Sequence, residues 1–339
     1  MKSWLKSTLQ FLFFLGIGIL LVWLALRGLT EDEKEKISKA FDEADYFWII
    51  FPTLLSGLSH FLRAARWKLL IQPLGYNPKL YNTFFALMVG YMANLAIPRL
   101  GEVSRCGILT KYEKIPFAES FGTVIAERAI DLLCLILIFL GTLVFEFEKL
   151  WGLTNERILN PLNEKLTALS QNSAFLWIAL IVVLLIAGGL IFIFRKGKGT
   201  FLKKIKELAL GFWGGVKSVK NIKRPYLFVL HTVLIWFLYI YVLYLSFSCF
   251  EELSVLGFGA ALAAMLFGSL GIIFVPGGTG AYQVLVTQTL NVGYKASFPF
   301  AVAFSWLIWS AQFIFLLLVG LISLILLPIL NKEVVAKQE

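Results

Sequence analysis

Long apolar runs, broken at intervals by short charged stretches, fill the chain from end to end. Eight stand out, at about 9–26, 46–62, 81–98, 117–145, 174–194, 225–249, 255–276 and 299–328. Several hold close to twenty apolar residues in a row, enough to cross ~30 Å of hydrocarbon at ~1.5 Å per helical residue. The pattern predicts an all-α polytopic membrane protein. Two of the runs end in polar and helix-breaking residues: GYMANLAIPRLGE at 90–102 and GSLGIIFVPGGTG at 268–280. Both place a glycine eight residues before a proline, Gly90 before Pro98 and Gly268 before Pro276.

Charge decides how the runs cross. If all eight crossed fully from a cytoplasmic N-terminus, 11 Lys and Arg would lie inside and 19 outside, against the positive-inside rule. If the third and seventh runs instead dip in and return, the division is 22 inside and 8 outside. The second scheme predicts about six full transmembrane helices plus two re-entrant broken-helix hairpins, with both termini cytoplasmic. It also creates an inverted repeat, because span, span, hairpin, span is traversed twice from opposite sides. The expected organisation is a first membrane repeat at 1–145, an extracytoplasmic loop at 146–173, a second repeat at 174–330 and a cytoplasmic tail at 331–339.

Composition refines this picture at three points. The net charge of +10 comes from basic residues flanking apolar runs, with ten Lys and Arg against Glu207 alone in the loop at 195–224. Anionic lipid headgroups therefore fit better than nucleic acid as partners. That loop reads either as a helix lying on the inner leaflet or as a solvated basic loop. Lys2 and Lys6 before the first run resemble the start of a signal peptide, but the run exceeds the usual apolar core and no small-x-small site follows, so a retained span is expected. Cys106, Cys134 and Cys249 are scattered, and His60 and His231 stand far apart, so neither a metal site nor a cofactor is expected.

Interrupted segments with proline and glycine at matching places in two halves point to a transporter whose site lies where the breaks meet. Pro98 and Pro276 each suit the first turn of a new helix. The two helix starts would offer free N–H groups and positive dipole ends, with Gly277, Gly278 and Gly280 allowing close approach to a ligand. Such a site suits an anion, and the abundant anion in a membrane is a lipid phosphate. Arg99, Glu102 and Arg105 follow at intervals of three, on one helical face. Arg99 and Arg105 read as phosphate contacts. Glu127, Arg128 and Asp131 fall about 15–21 Å along the fourth run, near the middle of a bilayer. A lone charge there costs about 2.5–3.5 kcal/mol, so these three should face the interior, Arg128 bridging its own carboxylates or reaching Glu102. They read either as an ion-pair clip between helices or as a substrate contact. Arg63 and Arg66, in HFLRAARW, read either as part of the site or as snorkelling to headgroups.

Three stretches in this order, FLRAARWKLLI, then GYMANLAIPRLGEVSR with GTVIAERAIDLL, and finally VPGGTGAYQ, resemble the lysylphosphatidylglycerol synthase transmembrane-region family over about residues 9–328. This family includes the flippase half of the multiple peptide resistance factor. The resemblance implies an integral inner-membrane protein of the bacterial type that flips a lipid, or helps to. By position it singles out Arg63, Arg66, Asn94, Pro98, Gly101, Glu102, Arg105, Glu127, Arg128, Asp131, Pro276 and Gly280. Synthase members carry a soluble aminoacyl-transferase domain after the membrane part, whereas this chain ends eleven residues past Pro328. Lipid aminoacylation is therefore not expected. Relatives often place a carboxylate where Gln283 stands here, which argues against proton coupling through that position.

The leading expectation is a non-enzymatic, flippase-like transporter of a phospholipid or lipid-linked headgroup, with homo-oligomerisation left open. The alternatives are an ion-coupled transporter of a small solute using Glu127 and Asp131, an enzyme acting on a lipid, and an assembly partner in envelope synthesis. Against the enzyme stand the absence of a Ser/His/Asp set, a metal cluster and a phosphate loop with its lysine.

Overall fold

The computed structural model describes residues 29–97, 99–146 and 222–335, with a few isolated positions before residue 29. The spans expected at 9–26 and 174–194, nearly all of the loops at 146–173 and 195–224, Pro98 and residues 336–339 lie outside the described residues.

Nine helices of eight or more residues make up the described chain: α1 Glu31–Glu43, α2 Phe47–Ile71, α3 Leu80–Ala96, α4 Leu100–Glu113, α5 Phe117–Phe145, α6 Pro225–Ser246, α7 Phe258–Phe274, α8 Ala281–Gln288 and α9 Phe298–Leu330. Among the described residues, three segments are long and apolar enough to cross a membrane: Phe117–Phe145, Pro225–Cys249 and Phe298–Leu330. Their surfaces carry the signature of lipid contact. Ile136, Leu137 and Val144 on α5 and Leu318, Ile322 and Ile325 on α9 are exposed, an apolar belt that water would not tolerate at this density.

Two elements depart from the hydropathy pattern. α1 falls in a stretch too polar to have been predicted. A capping box fixes its start, the Glu33 N–H donating to Thr30 Oγ1 and the Thr30 N–H to Glu33 Oε2 at 2.8 Å. Three acids in its first turn suit the positive end of the helix dipole. α2 runs on to Ile71 rather than stopping near residue 62. The helix carries straight through His60, Arg63 and Arg66, because neighbouring helices supply carboxylates to the two arginines and aromatic rings to His60.

The helices repeat. α2 starts at 47 and α6 at 225; α3 starts at 80 and α7 at 258, the same offset of 178 residues. That offset also separates Gly90 from Gly268 and Pro98 from Pro276. α3 and α7 are each 17 residues long. The two halves interlock: α6 packs along α2, and α9 packs along α3 and α1. At one end the Asp45 N–H donates to the Cys249 carbonyl at 2.9 Å.

α3 and α4 form an antiparallel hairpin. At its open end Asn82 Nδ2 and the Lys79 N–H both donate to Glu113 Oε1, at 2.6 and 3.0 Å. At its tip the Gly101 N–H donates to Asn94 Oδ1 at 2.7 Å. A side chain at Gly101 would strike the Gly90 carbonyl and Asn94, so glycine sets how closely the two arms approach. α7 and α8 pack the same way, with Gly268 and Gly271 against Tyr282.

The tips share one backbone. Ile97 and Val275 are extended, with φ −137° and −122°. Two residues later Arg99 and Gly277 are both left-handed, at φ 65° and 66°. The Leu100 N–H closes the first turn onto the Ile97 carbonyl at 3.2 Å, and the Gly278 N–H closes the second onto Val275 at 2.8 Å. A type II turn needs a positive φ at its third position, which suits glycine. Arg99 carries a left-handed penalty of about 1–2 kcal/mol that Gly277 escapes.

Two stability tests follow from the hairpin. Gly101→Ala is expected to destabilise the detergent-solubilised protein by about 1–3 kcal/mol through overpacking. Gly107→Ala, on the same helix with nothing within 4 Å of the added carbon, should leave thermal unfolding unchanged or raised. At the tips, Arg99→Gly should raise the unfolding temperature and Gly277→Ala should lower it. Opposite signs in differential scanning fluorimetry would confirm the shared turn.

Candidate functional site

Three arginines and two carboxylates meet between α2, α4, α5 and α6. Arg63 and Arg66 sit three apart on α2, 5% and 0% exposed; Arg105 on α4 is 2% exposed and Glu127 on α5 is 0% exposed. Arg63 Nη2 donates to Glu127 Oε1 and to Asp131 Oδ2, both at 2.6 Å. Arg66 Nη2 donates to Asp131 Oδ1 at 2.6 Å. Arg105 Nη1 donates to Glu127 Oε2 at 3.0 Å. Both oxygens of each carboxylate are therefore occupied. α6 completes the shell: Arg63 Nη1 donates to Tyr239 Oη and Arg66 Nη1 to Thr232 Oγ1, each at 3.2 Å.

Such a cluster survives burial only because its members are paired and hydrogen-bonded. The pairing is incomplete in charge, since three guanidinium groups face two carboxylates. The surplus positive charge shows itself at Arg105. Its Nη1 holds Glu127, but Nε and Nη2 are buried and meet no acceptor among the described residues. Arg63 and Arg66 leave only Nε in that condition. Arg105 also lies over the Trp67 ring, its Cζ 4.7 Å from the centroid. Trp67 in turn is fixed by its Nε1–H donating to Thr123 Oγ1 at 2.9 Å.

A seam too tight for a water molecule runs beside Arg105, lined by Gly90, Tyr91, Asn94, Gly101 and Arg128. Arg128 lies one residue after Glu127 and so points away from the network. Its side chain is 43% exposed and pairs with Glu102, which is 20% exposed, at 2.9 Å. Ile125 and Leu132, one turn to either side of Arg128 on α5, are 44% and 49% exposed. An ion pair thus lies open among apolar side chains on a membrane-length helix.

The predicted site residues fall into two groups. Arg63, Arg66, Arg105, Glu127 and Asp131 come together, with Asn94, Gly101 and Arg128 lining the seam beside Arg105 and Glu102 paired to Arg128. Arg63 and Arg66 do not snorkel; they are inside. Arg128 departs from the expected inward facing and takes the Glu102 option. Arg99 is exposed at the hairpin tip and stands outside the network. Pro98 lies outside the described residues. In the second hairpin Pro276–Gly278 form a single turn. The Gly277 carbonyl accepts from Trp309 Nε1 at 2.7 Å, Gly278 is buried with φ 72°, and the Gly280 N–H donates to Gln283 Oε1 at 2.7 Å. The N–H groups expected to be free at the two helix starts are thus partly taken, at Leu100, Gly101, Gly278 and Gly280, by acceptors of the chain itself.

Sequence reasoning missed Thr232 and Tyr239. They are seven residues apart on one face of an otherwise apolar helix, a spacing that marks a polar stripe. The repeat offset sharpens the contrast between halves. The offset of 178 sets Tyr241 and Tyr244 against Arg63 and Arg66; α4 and α8, like α5 and α9, start 181 residues apart, which sets Val286, Ile308 and Gln312 against Arg105, Glu127 and Asp131. The charge belongs to one half alone.

UPF0104 membrane protein MJ1595 of Methanocaldococcus jannaschii is 32% identical over 133 residues, 38% of this chain and 36% of that protein. Glycosyltransferase AglD of Haloferax volcanii is 29% identical over 119 residues, 35% of this chain and 19% of that protein. The chain thus spans well under half the length of either relative. No solved structure matches. The model of the lysylphosphatidylglycerol synthase TM region matches residues 10–320, so the chain belongs to that family.

Proposed function

We propose that the protein is a lipid flippase-like transporter that binds a phospholipid or lipid-linked headgroup beside the buried arginines while the lipid's tails stay in the bilayer. The observation that carries this reading is the Arg128–Glu102 pair. A soluble solute would reach a charged site through a water-filled vestibule. Here the charged pair is open on the side of α5 that also exposes Ile125 and Leu132, the side where an amphiphile could present head and tails together. Glu127 and Asp131 are held by three guanidinium groups, which weighs against their serving as cation sites for an ion-coupled solute carrier. Transport rather than catalysis fits a cluster whose acids are all in ion pairs. The glycosyltransferase-named relative matches over 19% of its length, too little to carry its named activity here.

In this reading α3–α4 and α7–α8 are re-entrant hairpins in an inverted repeat, with six full spans in a bacterial-type cytoplasmic membrane and both termini cytoplasmic. The support is that α3 begins where α4 ends, at Asn82 and Glu113, so the hairpin enters and leaves at one level. The basic-residue count favours the same arrangement.

Two experiments test the reading. Cysteines introduced at Asn77 and Lys114, which flank the first hairpin, should react with an impermeant maleimide from the same side of intact vesicles. Labelling from opposite sides would show that the hairpin crosses. In proteoliposomes carrying a fluorescent lipid, Arg105→Ala and Glu102→Ala should each abolish headgroup translocation while helical content and elution volume stay unchanged. Wild-type flipping by both variants would remove the site from the function.

A further inference from the structure

The charge balance of the network is specific enough to name the class of ligand. We infer that the free edge of Arg105 is the binding subsite for one singly charged oxyanion, a phosphodiester monoanion in the lipid-transport reading on which this rests, and that Glu102 is the electrostatic gate above it. Nε and Nη2 form the side-on edge of a guanidinium, two parallel N–H donors spaced to meet two oxygens of one phosphate or carboxylate. Both are buried without an acceptor among the described residues, and the residue is 2% exposed. The third nitrogen is committed to Glu127 at 3.0 Å, which fixes the guanidinium plane. Three guanidinium groups against two carboxylates leave one positive charge to neutralise, so one negative charge balances the cluster and a second would be in excess.

The seam lined by Arg105 and Arg128 is closed to a water molecule in the present conformation, so an anion enters only as its walls part, and Glu102 is tied to that wall through Arg128. Glu102 Oε1 accepts from Arg128, while Oε2 is buried with no donor. A carboxylate one helical turn from Arg105 repels an arriving anion and also keeps Arg128 occupied. When the anion enters, Arg128 is the cation able to leave Glu102 and follow it. The subsite therefore opens by exchange of one acidic partner for another.

The test uses the full chain in detergent and three probes: dioctanoyl phosphatidylglycerol, a phosphodiester monoanion; dioctanoyl phosphatidylcholine, which has no net charge; and inorganic phosphate. Binding is read by native mass spectrometry and by thermal shift. The wild type should prefer phosphatidylglycerol to phosphatidylcholine. Arg105→Lys keeps the charge on Glu127 but loses the bidentate edge, and should weaken phosphatidylglycerol binding by about tenfold or more. Arg105→Gln should weaken it further. Glu102→Gln should strengthen it several-fold, because the repelling charge is gone and Arg128 is free. Unchanged binding by Arg105→Lys, or weaker binding by Glu102→Gln, overturns the inference, and these two variants decide it even if Arg105→Gln fails to fold. Inorganic phosphate binding as tightly as the lipid, with the same dependence on Arg105, would keep the subsite and remove the lipid reading. Undiminished lipid translocation by Arg105→Lys without anion binding would do the reverse.

Discussion

The architecture depends on ion pairing in a place where water is scarce. Glu127 and Asp131 lie in the middle third of a 29-residue, largely apolar helix, and a carboxylate there is tolerable only with partners. Arg63 and Arg105 reach Glu127 from two other helices, and Arg66 and Asp131 extend the network. Each of these side chains would be costly alone, and each satisfies the others. The network thereby dictates which helices must be neighbours. α2 continues past its apolar part because Arg63 and Arg66 need α5, and α6 lies along α2 with Thr232 and Tyr239 facing the same two arginines.

The second constraint is the turn at each hairpin tip. The backbone there is the same in both halves to within a few degrees at Arg99 and Gly277, although one position holds arginine and the other glycine. Backbone geometry has thus been kept where side-chain chemistry has not. Gly90 and Gly101 hold the first pair of arms close, and Gly268 and Gly271 the second. The chemistry has diverged around this common frame, charged in the first half and neutral in the second.

Much of the fold was legible because apolar runs and basic flanks obey strong rules: the ends of α3, α5, α6, α7 and α9 fall within a few residues of the predicted runs, and the paired Gly and Pro motifs mark the two hairpins. α1 was invisible since its signal is a capping box and charge pattern rather than hydrophobicity. The end of α2 was misplaced because polar residues inside a helix look like a loop until their partners are known. For the site, the i,i+4 spacing of Glu127 and Asp131 and the three-residue spacing of Arg63 and Arg66 place each pair on one face. Which arginine meets which acid depends on helix packing, which no local spacing encodes. Arg99 illustrates the limit. Its place beside Arg105 in the chain suggested joint action, yet the turn leaves it exposed at the tip while Arg105 lies inside.

The arrangement of ion pairs also has a mechanical meaning. α2 grips α5 through two arginines and three short contacts, and Trp67 adds a fourth tie through Thr123. These two helices, with α6 pinned alongside by Tyr239 and Thr232, are cross-braced at five points. The α3–α4 hairpin is moored to them by Arg105 on Glu127 and Glu102 on Arg128, one mooring buried and the other at the surface. With α9 and α2 also packed along α3, releasing the outer mooring frees the α4 arm more than the α3 arm, so any loosening begins beside the charged centre.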